Sequence, residues 1–413
     1  MAQKKIIVIG GGASGLMAAG VAATNGAHVI LLEKMKTPAR KIRITGKGRC
    51  NITNTAPIVE FIDHFGKSGR FLRQAFGRFF SGELIAFFEK RGLKIGFERG
   101  GRVFPADGDA PLVARLLVDW VKEAGVDLRT EISVVDLLVK KGQVAGVVCG
   151  HNQKIYADAV ILATGGASYP RTGSTGDGYR LAQSVGHTIV TTRPALVPLR
   201  TAERIGNGLA GLQLKNINAR LFINGKRKTQ AFGELSFTKN GLSGPIILTL
   251  SSLVVDALRS RAQVAVILDL KPALDDAKLE ARMQRDLQKR PHDPMSSFLR
   301  GLMPRELIQP CLDYAQIDHN MTAVMLPAQA RKKIRHWLKN FRFEITGYGS
   351  LEEAIVTAGG VKTAEIDPCT MESKKSKRLY IVGELLDIQA DTGGYNLQAA
   401  FSTGWVAGKA VCG

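Results

Sequence analysis

Cysteine is scarce and scattered in this sequence: Cys50, Cys149, Cys311, Cys369 and Cys412 are five in number and include no CxxC pair. That excludes a disulfide framework and a structural zinc site. The seven histidines are dispersed without HxxxH spacing, so no metal-ligand set is present. No apolar run approaches the ~20 residues that a membrane-spanning helix needs, and glycines break the N-terminal apolar stretch after Ile9. Residues 1–5 lead straight into a strand, without the apolar segment and small-residue cleavage site of a signal peptide. A soluble, cytoplasmic protein without membrane association is expected, in a compartment that keeps its thiols reduced. Ser243, in the run GLSGP, lacks both a GxSxG elbow and ordered Asp and His partners, which argues against a serine hydrolase.

Acidic residues are the other deficit. Against 57 Lys and Arg stand only 36 Asp and Glu, a net charge of +21. Self-repulsion of that size gives a folded chain no stability, and it points to a polyanionic partner. Cations crowd at Lys34, Lys36, Arg40, Lys41, Arg43, Lys47 and Arg49, at Arg282, Arg285, Lys289 and Arg290, and again from Arg331 to Arg342. In the last cluster Ile334, Trp337, Leu338 and Phe341 repeat at helical spacing, which reads as a core face. Arg331, Lys332, Arg335 and Lys339 are then left to contact phosphate.

What remains is the composition of a globular protein: 413 residues, 45% of them hydrophobic, enough for two or three domains. Residues 4–10 (KKIIVIG) form a β-branched run ending in glycine, as in a parallel strand buried on both faces. A helix over 14–25, closed by Gly26, and a second strand over 27–32 complete a βαβ unit. Two further strands, 159–163 and 379–382, also run into glycine. From 193 to 342 the texture changes. Strands are expected at 195–199, 219–223 and 264–270, with a hairpin turn at 225–228 (GKRK) and a helical subdomain over about 272–325. The predicted architecture is α/β. A Rossmann-like domain (1–192 and 343–413) is interrupted by an inserted β-barrel-like domain (193–342), and 371–378 (MESKKSKR) reads as an exposed basic loop.

The strongest local signal is Gly10-Gly11-Gly12-Ala13-Ser14-Gly15, a GxGxxG between strand and helix. Gly10 permits the tight turn, Gly12 lets a pyrophosphate approach the backbone, and Gly15 allows close packing of helix on sheet. Glu33 lies 18 residues beyond Gly15, where a carboxylate accepts the ribose hydroxyls of a dinucleotide. The other glycine-ended strands are remote from this unit, unlike the second half of an NAD dehydrogenase. Thr164-Gly165-Gly166, and Gly383-Glu384 before Asp387, resemble the second and third cofactor-contacting segments of the two-dinucleotide flavoproteins. FAD is the expected cofactor. Gly393-Gly394-Tyr395-Asn396-Leu397 then stands where that superfamily turns a helix N-terminus toward the flavin ring.

A closer resemblance covers nearly the whole chain. The segments Gly46-Lys47-Gly48-Arg49-Cys50-Asn51, Ala163 to Gly166, Phe237 to Pro245, Thr357 to Val361 and GGYNLQ (393–398) resemble a bacterial family of NAD(P)/FAD-dependent oxidoreductases with an inserted β domain. That family includes flavoproteins that reduce a uridine of 23S ribosomal RNA to dihydrouridine, besides members assigned to bile-acid reduction. It often has His where Lys239 stands here. The resemblance implies hydride transfer to C6 of the uracil and protonation at C5 of a base taken out of its stack. Cys50, beside Arg49 and Lys47, is the candidate proton donor. Lys239 is the candidate contact to a phosphate or the substrate carbonyl. Lys34, Gly46, Arg49, Cys50 and Asn51 join the cofactor-contact set. A small-molecule reductase of an enone, steroid or amine remains the alternative, and a non-catalytic RNA-binding flavoprotein a third. No second GxGxxG holds a resident nicotinamide, so electrons arrive from visiting NADH or NADPH or from a separate reductase.

Overall fold

A computed structural model describes residues 3–203 and 206–413. The chain divides into two compact units, Met1–Ala195 with Leu351–Gly413, and Leu196–Ser350. In the first unit, five parallel strands line up in the order Leu379–Ile381, Ala159–Leu162, Lys5–Ile9, His28–Leu32 and Asp127–Arg129. Apart from Lys5 and His28, the side chains of the first four strands are buried, as expected of β-branched strands covered on both faces, and the edge strand Asp127–Arg129 is half-buried.

The helix after the first strand runs Ala13–Thr24, and its residues from Ser14 to Ala22 are all buried. Alanine and glycine line it because its neighbour comes very close. A Cβ on Gly404 of the C-terminal helix, Tyr395–Ala410, would overlap the Ser14 carbonyl, and one on Gly408 would lie 2.6 Å from the Ala18 oxygen. Gly26 follows the helix with φ of 89°, the left-handed closure that glycine favours.

The second unit is built on a closed six-stranded antiparallel barrel. Its order is Leu199–Thr201, Gly241–Ser243, Lys226–Thr238, Gln213–Ile223, Val264–Asp269 and Phe341–Tyr348, the last pairing back to the first. Three expectations need correction. The strand Phe341–Tyr348 crosses the expected boundary at 342, because its ladder partners are barrel strands, and the chain returns to the first unit at Leu351. The strand expected at 195–199 is two strands, Ile189–Ala195 and Leu199–Thr201, separated where Leu196 takes φ of 51°. The hairpin turn is Asn224–Gly225, with φ of 50° and 73°, and Lys226 already begins the next strand. Helices Asp276–Lys289, Met295–Arg300, Ile308–Ala315 and Ala328–Lys339 bury Leu279, Met283, Phe298, Ile334, Trp337 and Leu338 against the barrel core.

The segment 371–378 is not the fully exposed loop that its composition implies. Met371, Ser373 and Ser376 are buried, while Lys374, Lys375, Lys377 and Arg378 stand out. Ser373 Oγ accepts from the backbone N–H groups of Lys375 and Ser376 and lies 2.7 Å from His187 Nε2. Its hydroxyl therefore donates to Nε2, leaving Nδ1–H to donate to Glu365 at 3.0 Å.

Burial holds His187 below the usual histidine range, against the opposing pull of Glu365. An unfolded chain then binds the proton first, so this contribution is present at neutral pH and falls as pH drops through about 6.5. Thermal unfolding followed from about pH 7 to pH 5.5 is expected to show that loss, with a shallower slope in a His187→Gln variant. Gly404→Ala is expected to cost about 1–3 kcal/mol by overpacking, a melting-point fall of several degrees by calorimetry.

Candidate functional site

The sheet order brings three glycine-ended strands side by side. Gly10 donates its N–H to the Leu32 carbonyl at 2.8 Å, Ala163 to Ile9 at 2.9 Å and Val382 to Leu162 at 3.0 Å, so the chain leaves all three strands at one edge. Gly10 has φ of 103°, and a Cβ there would lie 2.6 Å from the Ala163 oxygen. A Cβ on Gly15 would overlap the Gly10 carbonyl, whereas one on Gly12 meets nothing within 4 Å. Gly10 and Gly15 are thus required by the fold itself. Gly12 is the one that leaves open backbone beside the helix N-terminus at Ala13 and Ser14, as a pyrophosphate needs. Ser14 is buried, and a Cβ on Gly383 would overlap its hydroxyl.

Glu33 is buried with both carboxylate oxygens aimed by backbone donors. Gly11 N–H reaches Oε2 at 2.7 Å and Met35 N–H reaches Oε1 at 2.8 Å. Each oxygen keeps a lone pair for a further donor, the arrangement a ribose diol requires. Lys34 is turned away to Asp177 at 2.5 Å and to Thr175.

A polar cluster ties the second and third glycine segments together. Thr357 Oγ1 accepts from the N–H groups of Ala167 and Ser168 at 2.8 and 3.0 Å. Glu384 Oε1 accepts from Thr357 N–H at 2.8 Å and Ser168 Oγ at 2.9 Å, while Lys41 Nζ lies 2.7 Å from Oε2. Gly166 is forced by this crowding: a Cβ there would lie 3.0 Å from Glu384 Oε1 and overlap Thr357 Oγ1. Gly165, following Thr164, sits in the left-handed region at φ of 73°. Burial pushes the Asp387 carboxyl upward, opposed by the Arg193 guanidinium and a hydrogen bond from Gly359. Lys41, Ser168 and Thr357 escape sequence reasoning as site residues. Lys41 is hidden in a basic run, and Thr357 is visible only through its TAGGV context.

The strand that follows the GKGRCN loop meets the GGYNLQ segment. Gly46, Lys47, Gly48 and Cys50 all have positive φ, a loop conformation that two glycines make accessible. Just beyond it, Thr53 Oγ1 donates to Gln398 Oε1 at 2.6 Å and Asn54 Nδ2 to the Gly393 carbonyl at 3.0 Å. A Cβ on Gly394 would overlap the Thr53 carbonyl, so backbone meets backbone at the start of the C-terminal helix. Asn396 closes the preceding loop through Ala390 and Asp391, Tyr395 stacks on His64, and Leu397 is partly buried against the core. Asn51 accepts from Val103 N–H at 3.3 Å.

The reason given for Cys50 needs correction. Arg49 projects to Glu98 at 2.6 Å and lies over the Phe104 ring. Cys50 is fully buried, and burial, not neighbouring cations, sets its thiol, pushing it up to about 12. Lys239 belongs to the barrel unit, exposed on the turn before Gly241. The expected phosphate-contacting face of Ala328–Lys339 is largely engaged internally. Arg331 and Arg335 both pair with Glu280, at 3.1 and 2.9 Å, and Lys339 pairs with Asp269 at 2.6 Å. Among the described residues, no cluster of His, Cys, Asp and Glu could hold a metal ion, and no helix is long and apolar enough to cross a membrane.

Residues 4–410 match the family described as HI0933-like protein Rossmann domain. The chain belongs to that family. It is 35% identical over 413 residues to a 3-dehydro-bile acid delta(4,6)-reductase of Clostridium scindens, covering 99% of each chain. It is 29% identical over 406 residues to a ribosomal RNA dihydrouridine synthase of Escherichia coli, covering 98% of this chain and 96% of the relative. Among solved structures, the open conformation of a flavocytochrome c3 fumarate reductase superposes with a TM-score of 0.54 at 18% identity, over 99% of this chain and 78% of that one. The protein is an enzyme with the FAD-binding Rossmann fold of the oxidoreductases.

Replacing Glu33 by Gln sets an N–H₂ against a backbone N–H in a buried place, at a cost of about 1–3 kcal/mol. The variant is expected to purify with less flavin than the wild type, read from its visible absorbance, and to melt earlier.

Proposed function

We propose that this enzyme is an FAD-dependent reductase that saturates the C5=C6 bond of a uridine in 23S ribosomal RNA. The observation that carries the RNA reading is the net charge of +21. A neutral or anionic metabolite does not need it, whereas an RNA substrate repays it through counterion release. The two relatives' names describe one kind of chemistry: uridine and a 3-oxo-4,6-diene both offer a carbon–carbon double bond conjugated to a carbonyl.

In this reading Gly10, Gly12, Ala13, Ser14 and Gly15 hold the FAD pyrophosphate and Glu33 its adenosine ribose. Gly165, Gly166, Gly383, Glu384 and Asp387 line the path toward the flavin. FAD, when bound, supplies hydride chemistry. The N-terminus of the helix from Tyr395 places backbone N–H groups and a positive dipole end where negative charge would gather on reduction. Cys50 keeps its proton on Sγ throughout the neutral range, because its thiol is raised to about 12. It is the proposed donor to C5, the position that becomes basic once C6 has accepted hydride, a role that requires its buried Sγ to be uncovered when substrate binds. Lys239 is the proposed contact to a substrate phosphate or carbonyl. NADH or NADPH is the proposed visiting reductant.

The relative at 35% identity favours a second reading, reduction of a steroid-like dienone. Mass spectrometry of nuclease-digested 23S RNA from a strain lacking the gene, beside its parent, separates the two. Loss of dihydrouridine, restored by the wild-type gene, is expected; unchanged dihydrouridine would move the assignment to the dienone. Cys50→Ala is expected to retain flavin and lose at least tenfold in dihydrouridine formation. Full turnover by that variant would remove Cys50 from the mechanism.

A further inference from the structure

The barrel unit carries a cationic edge assembled from two segments distant in sequence. Lys226, Arg227 and Lys228 stand exposed at the tip of the hairpin that turns at Asn224–Gly225. Asn224 N–H donates to the Gln263 carbonyl at 2.8 Å, and Gln263 N–H donates to Asn224 Oδ1 at 2.9 Å. Ile223 pairs with Val264 directly beside this exchange. The turn after helix Pro245–Arg259 is thereby pinned to the hairpin tip, and it exposes Arg259 and Arg261.

These cations differ from those of the Ala328–Lys339 helix. Among the described residues, Lys226, Lys228, Arg259 and Arg261 form no ion pair, and Arg227 is held by Gln230 Oε1, a neutral partner. Arg227 and Phe232 oppose Phe222 and Asn218 on the neighbouring strand, so they project from one face, while Ala219 and Leu221 are buried on the other. Phe232 is 55% exposed, an apolar ring among the otherwise polar exposed residues of its strand. It lies roughly 17 Å from Arg227 at ~3.4 Å per residue, a span of two or three nucleotides of extended strand.

We propose that this edge grips the backbone of single-stranded RNA, its five cations on successive phosphates and Phe232 as a stacking platform for a base. The inference rests on the reading of the enzyme as an RNA reductase and names a surface through which it holds its substrate. Like charges at a pinned turn repel one another, and a polyanion is the partner that relieves this. A stacked base adds affinity without sequence choice.

The test is binding of the flavin-loaded, full-length enzyme to deproteinised 23S RNA across a salt series. Two variants are compared with wild type: Lys226→Ala/Lys228→Ala/Arg259→Ala/Arg261→Ala, and the charge-retaining Lys226→Arg/Lys228→Arg. Flavin content and melting temperature establish that both fold. The plot of log affinity against log salt is expected to become shallower by about 0.7 for each phosphate contact removed in the first variant, and to stay unchanged in the second. Phe232→Ala is expected to weaken binding about fivefold or more without altering that slope.

Wild-type protein that restores dihydrouridine in cells, yet binds RNA with a slope the substitutions leave unchanged, overturns the surface alone. Wild-type protein that neither restores it nor binds RNA overturns the underlying reading as well. Binding to phosphatidylglycerol vesicles but not to RNA, lost in the first variant, would reassign the edge to a membrane surface.

Discussion

The structure depends on one close approach, that of the Gly10 backbone to the Ala163 carbonyl at the edge of the parallel sheet. A side chain at Gly10 would lie 2.6 Å from that oxygen, and one at Gly15 would overlap the Gly10 carbonyl itself. With both absent, the first helix sits down on the strand ends and points its N-terminus across them. Neighbouring strand ends carry Gly165 and Gly383, so backbone N–H groups from three distant stretches of chain gather in one place. Such a gathering suits an anionic cofactor, because the donors are fixed before it arrives.

Buried and half-buried polar side chains keep that edge in register. Glu384, Lys41, Ser168 and Thr357 satisfy one another and the local backbone, joining residues as far as 343 positions apart. Gln398 and Thr53 do the same between the C-terminal helix and the strand following the GKGRCN loop. In a low-dielectric interior, removing one partner leaves the others unsatisfied, so each network enforces one geometry more than it adds net stability.

Charge is distributed with equal selectivity. Cations that sit on helix faces near acidic neighbours, such as Arg331, Arg335 and Lys339, are neutralised within the barrel unit. Those at the hairpin tip and the adjoining turn form no ion pair among the described residues and face solvent. The excess of +21 is therefore not a uniform coat. Cys50 illustrates the same principle for a thiol, since enclosure outweighs any nearby cation and keeps the group protonated.

The local elements of the first unit were legible because each is specified by neighbours in sequence. KKIIVIG announces a buried strand, GGGASG its turn, and Gly26 the end of the helix. The place of Glu33 beside the glycine turn was legible for the same reason, being set at a fixed interval from the glycines by a βαβ unit of standard length. The barrel's strand boundaries were less so: Asn224–Gly225 and Leu196 turn or break the chain through single left-handed residues. Strand Phe341–Tyr348 belongs to the barrel only by virtue of its ladder partners. Lys41 beside Glu384, Thr53 beside Gln398, and Gln263 beside the hairpin tip were decided by tertiary structure alone. The sequence by itself determined which residues could turn, bury or carry charge. Which charges are cancelled and which remain outward depends on pairings between distant segments, and no local pattern encodes those.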